Sequence, residues 1–232
     1  MATESQGPVV LGDESDAGSG TESGTGRNPR ERYRTQVRDE VKRHAWEQIA
    51  ANGVTALSLN AIAKEMGMSG PALYRYFAGR DELITELVRD AYRSLADTVR
   101  AAHAEGVSVV GLAAVIRRWA LADPQRYLLI YGTPVPGYHA PDDITAISNE
   151  ILAVLLEVCG GGPPDPKTPF EAFLRMRNGW AGALPAPSPT VHRALSFWTR
   201  TQGVLSLELA GHFAPMGIDV ELLLVEEVAD LA

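Results

Sequence analysis

The chain has 232 residues, 45% of them hydrophobic, and a formal net charge of −8, which is ordinary for a globular protein with a small and a larger folded unit. Its one cysteine, Cys159, excludes a disulfide framework and a cysteine-based metal site, and we expect it to be a small buried hydrophobe. No apolar run approaches the ~18–20 residues of a membrane span and no signal-peptide pattern opens the chain, so we expect a cytoplasmic protein without membrane contact.

Residues 1–29 are predicted to form a disordered tail. They are rich in Gly, Ser and Thr, and residues 1–26 carry five acids and no base, so they bury too little apolar surface to offset the entropy of ordering. Basic residues follow at Arg27, Arg30, Arg32 and Arg34. They form either a basic arm that reaches a DNA groove or flanking phosphates, or an ordinary solvated charge run.

Residues 57–80 have the pattern of two short helices joined by a tight turn. Ser58 is predicted to cap the first helix, and Gly67 stands where a left-handed residue ends it. Ser69 is predicted to cap the second helix. Pro71 falls in the first turn of that helix, where its missing N–H costs little.

The second of these helices has one apolar and one exposed side. Leu73 and Phe77 lie four residues apart and are predicted to face the core. The residues predicted to face outward are Gly70, Ala72, Tyr74 and Arg75. Small residues allow a close approach to base edges, and Tyr and Arg reach phosphates or bases. The segment is therefore either a helix-turn-helix that places a helix in the DNA major groove or a plain helical hairpin.

The positive charge of the chain is concentrated in this region. Residues 27–80 contain ten bases and five acids, whereas residues 81–232 contain eleven bases and nineteen acids. The basic segment is the one predicted to meet DNA. The acidic remainder fits a ligand or partner domain better than a second nucleic-acid surface.

All later periodic segments have helical spacing, and none shows sustained strand alternation, so the predicted fold is all-α. The predicted helices span residues 82–103, 109–121, 125–131, 142–158, 170–181, 191–210 and 219–231. Asp123 and Pro124 form a helix start, and residues 160–166 form a Gly- and Pro-rich linker.

The sequence lacks the motifs of an enzyme. Its five histidines show no metal-ligand spacing, and no Gly-rich loop that would cradle phosphate is present. Residues 67–71 contain a Ser between glycines, but they follow a helix rather than the strand of a nucleophile elbow. We therefore expect no catalysis, no metal and no cofactor.

Residues 35–87 resemble the TetR family of bacterial transcriptional regulators. The resemblance is carried by VRDEVKRHAWEQIAANGVTALS from Val37, IAKEMGMS from Ile62, PALYRYF from Pro71 and RDEL from Arg80. It implies a three-helix DNA-binding domain over residues 30–80, then a larger helical ligand-binding and dimerisation domain over residues 81–232.

The resemblance also implies roles for single residues. Ser58 and Tyr74 would touch phosphates, and Arg80, which replaces the usual Lys, would keep a phosphate contact. Leu59 departs from the family at a place that is often polar. The full predicted DNA-binding set is Arg34, Ser58, Asn60, Ser69, Gly70, Pro71, Ala72, Tyr74, Arg75, Tyr76 and Arg80.

A weaker resemblance covers the C-terminal region. Trp198, Gln202–Gly203 and Gly211 match a ligand-binding and dimerisation domain of some TetR-like regulators, with Gln202 where His is common. It implies that the last two long helices form a four-helix bundle with those of a second subunit. The predicted interface residues are Leu195, Leu205, Leu209, Leu222 and Val225, and the alternative for each is intrachain core.

Large aromatic residues on the later helices are candidates for a ligand pocket. They are Trp119, Tyr127, Tyr131, Phe173, Trp180 and Trp198. They either line a cavity for a small, mainly apolar molecule or simply pack the core.

Together these patterns predict a homodimeric, sequence-specific regulator of transcription. We expect a repressor that binds a palindromic operator on double-stranded DNA and that a small-molecule ligand releases. The alternative is a DNA-binding protein that senses no ligand and acts through protein partners.

Overall fold

The computed structural model describes residues 28–132, 138, 141–162, 164–177 and 186–231. Over these residues the chain forms α-helices and short 3-10 turns and no β-strand, which confirms the all-α prediction. The helices are α1 (Pro29–Asn52), α2 (Leu59–Glu65), α3 (Gly70–Leu73), α4 (Arg80–Ala104), α5 (Val109–Ala122), α6 (Pro124–Tyr131), α7 (Asp142–Val158), α8 (Pro169–Met176), α9 (Ser188–Leu209) and α10 (Val220–Ala229).

The first hydrophobic core lies between α1, α2, α3 and the start of α4. Val41, Ile62 and Leu83 are fully buried in it. Leu73 and Phe77 are buried there too, which confirms the inward side predicted for the second short helix. Burying this face fixes which side of α3 remains exposed.

The second hydrophobic core joins the later half of α4 to α5, α6, α7, α9 and α10. Leu95, Leu112, Phe197, Leu205 and Val228 are among its buried members. Because α4 is one unbroken helix of 25 residues, it contributes side chains to both cores. α4 therefore connects the two cores directly.

Ion pairs supplement the apolar contact between α4 and α7. Both terminal nitrogens of Arg93 donate to Glu150, at 2.7 and 2.8 Å, and Arg89 donates to Asp143 at 2.7 Å. The Arg93 and Arg89 hydrogen bonds lower the pKa values of these two carboxyl groups below the usual range. These pairs fix the register of α7 along α4.

Three of the basic residues expected in an N-terminal arm, Arg30, Arg32 and Arg34, are helical, and Arg27 lies outside the described residues. Asn28 caps α1 by accepting a hydrogen bond from the backbone N–H of Arg30, and Pro29 is the first helical residue. The arm prediction is therefore wrong from Pro29 onward, and Arg32 and Arg34 lie on the first turns of α1. The predicted tail over residues 1–27 lies outside the described residues.

The second short helix is shorter than predicted. Regular α-helix covers only Gly70–Leu73, after which Arg75 and Tyr76 donate to the carbonyls three residues before them, Ala72 and Leu73. This tightening into 3-10 geometry is typical of a helix end. α8 ends at Met176, and residues 178–181 of its predicted span lie outside the described residues.

Candidate DNA-binding and ligand sites

The turn between α2 and α3 has the geometry that the sequence predicts. Gly67 adopts a left-handed conformation with φ of +64° and closes α2. The N–H of Met68 donates to the carbonyl of Ala63 at 2.8 Å, which satisfies a carbonyl at the helix end. The turn leaves the start of α3 on the surface.

The exposed residues at the start of α3 form one surface with the start of α2. Ser69, Pro71, Tyr74 and Arg75 are exposed on α3 or beside it, and Asn60 is exposed on α2. We call these five residues the reading surface. Its polar side chains and its single positive charge are suited to contacts with phosphates and base edges.

Gly70 allows the two helices to approach each other within this surface. A Cβ at position 70 would lie 3.3 Å from Oδ1 of Asn60, which is tighter than ordinary van der Waals contact. The absence of a side chain therefore keeps Asn60 next to the start of α3.

The two serines predicted as helix caps behave differently. Ser58 accepts a hydrogen bond from the N–H of Ala61 at 3.4 Å, and its own N–H donates to Gln48 at 3.1 Å. Ser69 occupies the cap position of α3, but its side chain makes no capping hydrogen bond. The capping prediction is confirmed for Ser58 and wrong for Ser69, whose exposed hydroxyl remains available to a ligand.

Three other predicted contact residues are partly withdrawn from the surface. Ala72 is half-buried, and Tyr76 packs against the first core. Arg80 donates from Nη2 to the carbonyl of Val54 at 2.8 Å and from Nε to that of Leu57 at 3.3 Å. Arg80 thus fastens the turn before α2, and its phosphate contact stays a prediction.

Arg38 on α1 is a structural residue of the site that sequence reasoning missed. Its guanidinium donates to the carbonyl of Tyr76 and lies 4.1 Å from the centre of the Phe77 ring. It also pairs with Glu82 and Glu86 on α4, each at 3.4 Å. Arg38 therefore joins α1, the end of the short helix and α4, and only long-range contacts reveal this.

A narrow cavity of about 20 Å³ lies inside the second core. The rings of Tyr131 and Trp198 meet edge to face there, with centres 5.5 Å apart. The residues that line the cavity are Leu95, Ile116, Tyr131, Ile151, Leu155, Phe197, Trp198, Thr201 and Gln202. None of these residues carries a charge, and burial raises the pKa of Tyr131 far above its usual range, so its hydroxyl stays neutral.

The other aromatic residues predicted to line a pocket lie elsewhere. Tyr127 is buried beside the cavity, and its hydroxyl donates to Gln202 Oε1 at 2.7 Å. Trp119 donates to the Ser94 hydroxyl at 3.1 Å and ties α5 to α4. Phe173 is 49% exposed on α8, away from the cavity lining, and Trp180 lies outside the described residues.

Comparisons with known proteins decide the family. A profile described as "Bacterial regulatory proteins, tetR family" matches residues 43–87, and one described as "Tetracyclin repressor-like, C-terminal domain" matches residues 109–231. The HTH-type transcriptional regulator Rv1816 of Mycobacterium tuberculosis is 33% identical over 199 residues, 78% of this chain and 83% of its own. The chain belongs to the TetR family.

Two solved structures share the fold of this chain. The crystal structure of SCO4313, described as a regulatory protein, has 64% sequence identity and a TM-score of 0.82, and the match covers 88% of this chain and 98% of that one. A protein of unknown function from Rhodococcus sp. RHA1 shares the fold at 19% identity and a TM-score of 0.62, over 84% and 93% of the two chains. This TetR-family protein is a transcriptional regulator with a DNA-binding domain and not an enzyme.

The C-terminal helices of this regulator correct part of the predicted dimer interface. Leu205 is fully buried in the second core of its own chain, so its assignment to an interface is wrong. Leu195, Leu209 and Val225 are half-buried, whereas Leu222 is 64% exposed.

One exposed leucine of α9 was not predicted. Leu207 is 45% exposed and lies one helical turn from Gly203, where a Cβ would meet nothing within 4 Å. Ala210, three residues further on, is exposed as well. We call Gly203, Leu207, Ala210 and Leu222 the α9–α10 surface.

The remaining observations concern metal, thiol and membrane chemistry. Among the described residues, no cluster of His, Cys, Asp or Glu is arranged to hold a metal ion. Cys159 is buried as expected, and burial raises its pKa to about 11, although Arg193 opposes the shift. In the described segments no helix is long and apolar enough to cross a membrane.

Proposed function

We propose that this regulator is a homodimeric repressor that a small, mainly apolar ligand releases from a palindromic operator. The observation that carries the proposal is the continuity of α4, which is shared by both cores. Its Leu83 and Leu87 pack in the DNA-binding core, and its Leu95 lines the cavity. A ligand that displaces Leu95 acts directly on the helix that supports the DNA-binding unit.

Dimerisation follows from the size of the reading surface. One short helix contacts only a few base pairs, whereas a two-fold dimer reads two half-sites that are separated by about one helical turn or more. The exposed apolar and small residues of the α9–α10 surface support a partner there. Two-fold symmetry then predicts a palindromic operator.

The proposed release works through the distance between the two reading surfaces. Ligand binding tilts α4, the half-site spacing of the dimer no longer matches the DNA, and specific contacts are lost. The ligand's preference for the tilted arrangement sets how far DNA affinity falls. An unchanged DNA affinity at saturating ligand would rule this mechanism out.

The decisive experiment is the selection of bound sites from a random DNA pool with the full-length protein at physiological salt. We expect an enriched palindrome whose half-sites are about one helical turn or more apart. Weak, salt-sensitive binding without an enriched sequence would contradict the proposal, because it would mean only non-specific contact with phosphates.

Two substitutions then distinguish phosphate contacts, which position the protein, from base contacts, which recognise the sequence of the selected operator. Tyr74→Ala should weaken binding to all sequences alike if Tyr74 holds a phosphate. Arg75→Ala should cost about 1–3 kcal/mol and relax specificity at one position if Arg75 reads a base. Arg118→Ala, which removes an exposed arginine from α5, is the matched control and should leave binding unchanged.

A further inference from the structure

Thr201 is a buried polar residue in the mostly apolar wall of the cavity. It lies on α9, is 1% exposed and lines the cavity beside Tyr131 and Trp198. Its hydroxyl oxygen is buried and has no hydrogen-bond partner among the residues that the structure describes. Burying an unsatisfied hydroxyl is costly, and such groups are rare in folded proteins, so this one calls for an explanation.

Other threonines on the long helices show that a local partner was available. The Thr98 hydroxyl donates to the carbonyl of Ser94 at 2.8 Å, and the Thr199 hydroxyl donates to that of Ser196 at 3.2 Å. Such bonds to the preceding turn are the usual solution for a helical threonine. Thr201, on the same helix as Thr199, does not use this solution.

Gln202 supplies another polar side chain to the cavity wall, and its amide oxygen is already hydrogen-bonded. Oε1 of Gln202 accepts a hydrogen bond from the buried hydroxyl of Tyr127. The lining contains no charged side chain to stabilise an ion. A ligand in this cavity therefore meets a mostly apolar, aromatic wall that contains the buried hydroxyl of Thr201.

The cavity is closed to anything much larger than water. Its volume of about 20 Å³ is close to the minimum that a single water needs. A larger ligand fits only if lining residues move apart, and separation of the edge-to-face pair of Tyr131 and Trp198 is one such opening. Because Tyr131 ends α6 and Trp198 lies on α9, such an opening moves one helix relative to the other.

We propose that this cavity takes an uncharged, predominantly apolar molecule that presents one hydrogen-bonding oxygen, and that the Thr201 hydroxyl recognises that oxygen. The inference rests on the proposed ligand response and specifies its ligand class. The apolar wall would provide the affinity, and the Thr201 hydroxyl would provide the selectivity. A buried polar group left unpaired discriminates strongly against the wrong ligand.

The test uses three fluorinated probes of similar shape with the full-length protein. They are para-fluoroacetophenone, para-fluoroethylbenzene and para-fluorobenzoate, and fluorine NMR titration measures their dissociation constants. The variants are Thr201→Val, which removes the hydroxyl at nearly constant volume, and Thr201→Ser, which keeps it. Thr199→Val is the matched control from the exposed side of α9.

We expect the wild type to bind the ketone and to exclude the carboxylate, because the lining offers no charge to pair with it. The preference for the ketone over the hydrocarbon should fall about tenfold in Thr201→Val, the value of one hydrogen bond. It should persist in Thr201→Ser and Thr199→Val. Thr201→Val should still bind the hydrocarbon as the wild type does, which shows that its loss of preference is not a folding defect.

The inference is overturned if the wild type does not bind the ketone or if Thr201→Val leaves the preference unchanged. In the latter case water satisfies the hydroxyl. Operator selection with the same preparations keeps the two proposals apart. Palindrome binding without the ketone preference overturns only the ligand class, whereas the preference without palindrome binding overturns the proposed regulation.

Discussion

At the scale of single residues, two arginines hold the DNA-binding unit together through main-chain carbonyls. Arg38 donates to Tyr76, and Arg80 donates to Val54 and Leu57. Helix ends and turns leave carbonyls without partners, and the planar fork of arginine can reach several at once. Positive charge in this segment therefore supports the fold.

Replacing Arg38 tests this role. Arg38→Gln should lower the free energy of unfolding by about 1–3 kcal/mol, because it removes the bond to Tyr76 and the stacking on Phe77. Arg38→Lys should restore only part of the loss, since lysine lacks the planar fork. Urea unfolding followed by circular dichroism measures both.

Arg43→Gln is the control for this prediction. Arg43 lies on the same helix, is exposed and pairs only with side chains one turn away or closer. Its loss should cost no more than about 0.5 kcal/mol. Equal effects at positions 38 and 43 would show that the contacts of Arg38 contribute no more than a surface ion pair.

At the scale of helices, the caps decide where α2 and α3 begin. Ser58→Ala should destabilise the protein by about 1 kcal/mol, because the Ser58 hydroxyl satisfies the N–H of Ala61. Ser69→Ala should leave the unfolding free energy unchanged, because the Ser69 side chain makes no capping bond. Thermal unfolding compares the two variants.

The same two variants distinguish an effect on stability from an effect on DNA binding. Ser69→Ala should weaken operator binding if the exposed hydroxyl meets a phosphate. If it instead destabilises the fold as much as Ser58→Ala does, Ser69 caps α3 in solution and the assignment of its free hydroxyl is wrong.

Helix existence could be predicted from the sequence more readily than helix ends. The apolar spacing predicted α4 as residues 82–103, and it spans Arg80–Ala104. The start of α1 was missed because four arginines within eight residues were interpreted as a basic arm or a solvated charge run, although Asn28 and Pro29 form a cap and first helical residue. The cluster of arginines was given more weight than the capping signal of Asn28 and Pro29.

At the scale of the whole molecule, the sequence predicted which residues are apolar but not what covers them. Leu205 and Leu222 both lie on predicted C-terminal helices, yet one is fully buried and the other is mostly exposed. Helical spacing identifies an apolar side without saying whether the same chain or a partner packs on it. Thr201 shows the same limit, because only the packed core reveals that its hydroxyl lacks a partner.

The last prediction therefore concerns the partner that covers the α9–α10 surface. Leu222→Glu and Leu207→Glu place a charge on residues that one chain leaves exposed, so neither should lower the stability of the isolated subunit much. Each should raise the dimer dissociation constant at least tenfold, roughly the cost of burying a charge against apolar groups. Sedimentation velocity over a range of protein concentrations measures this.

Leu121→Glu provides the control, because Leu121 is a similarly exposed leucine at 39% but lies on α5, outside the α9–α10 surface. It should leave the assembly unchanged. Operator affinity should fall together with dimerisation in the first two variants and stay constant in the third, since one subunit alone reads a single half-site. If Leu222→Glu and Leu207→Glu remain as dimeric as Leu121→Glu, the subunits meet through another surface.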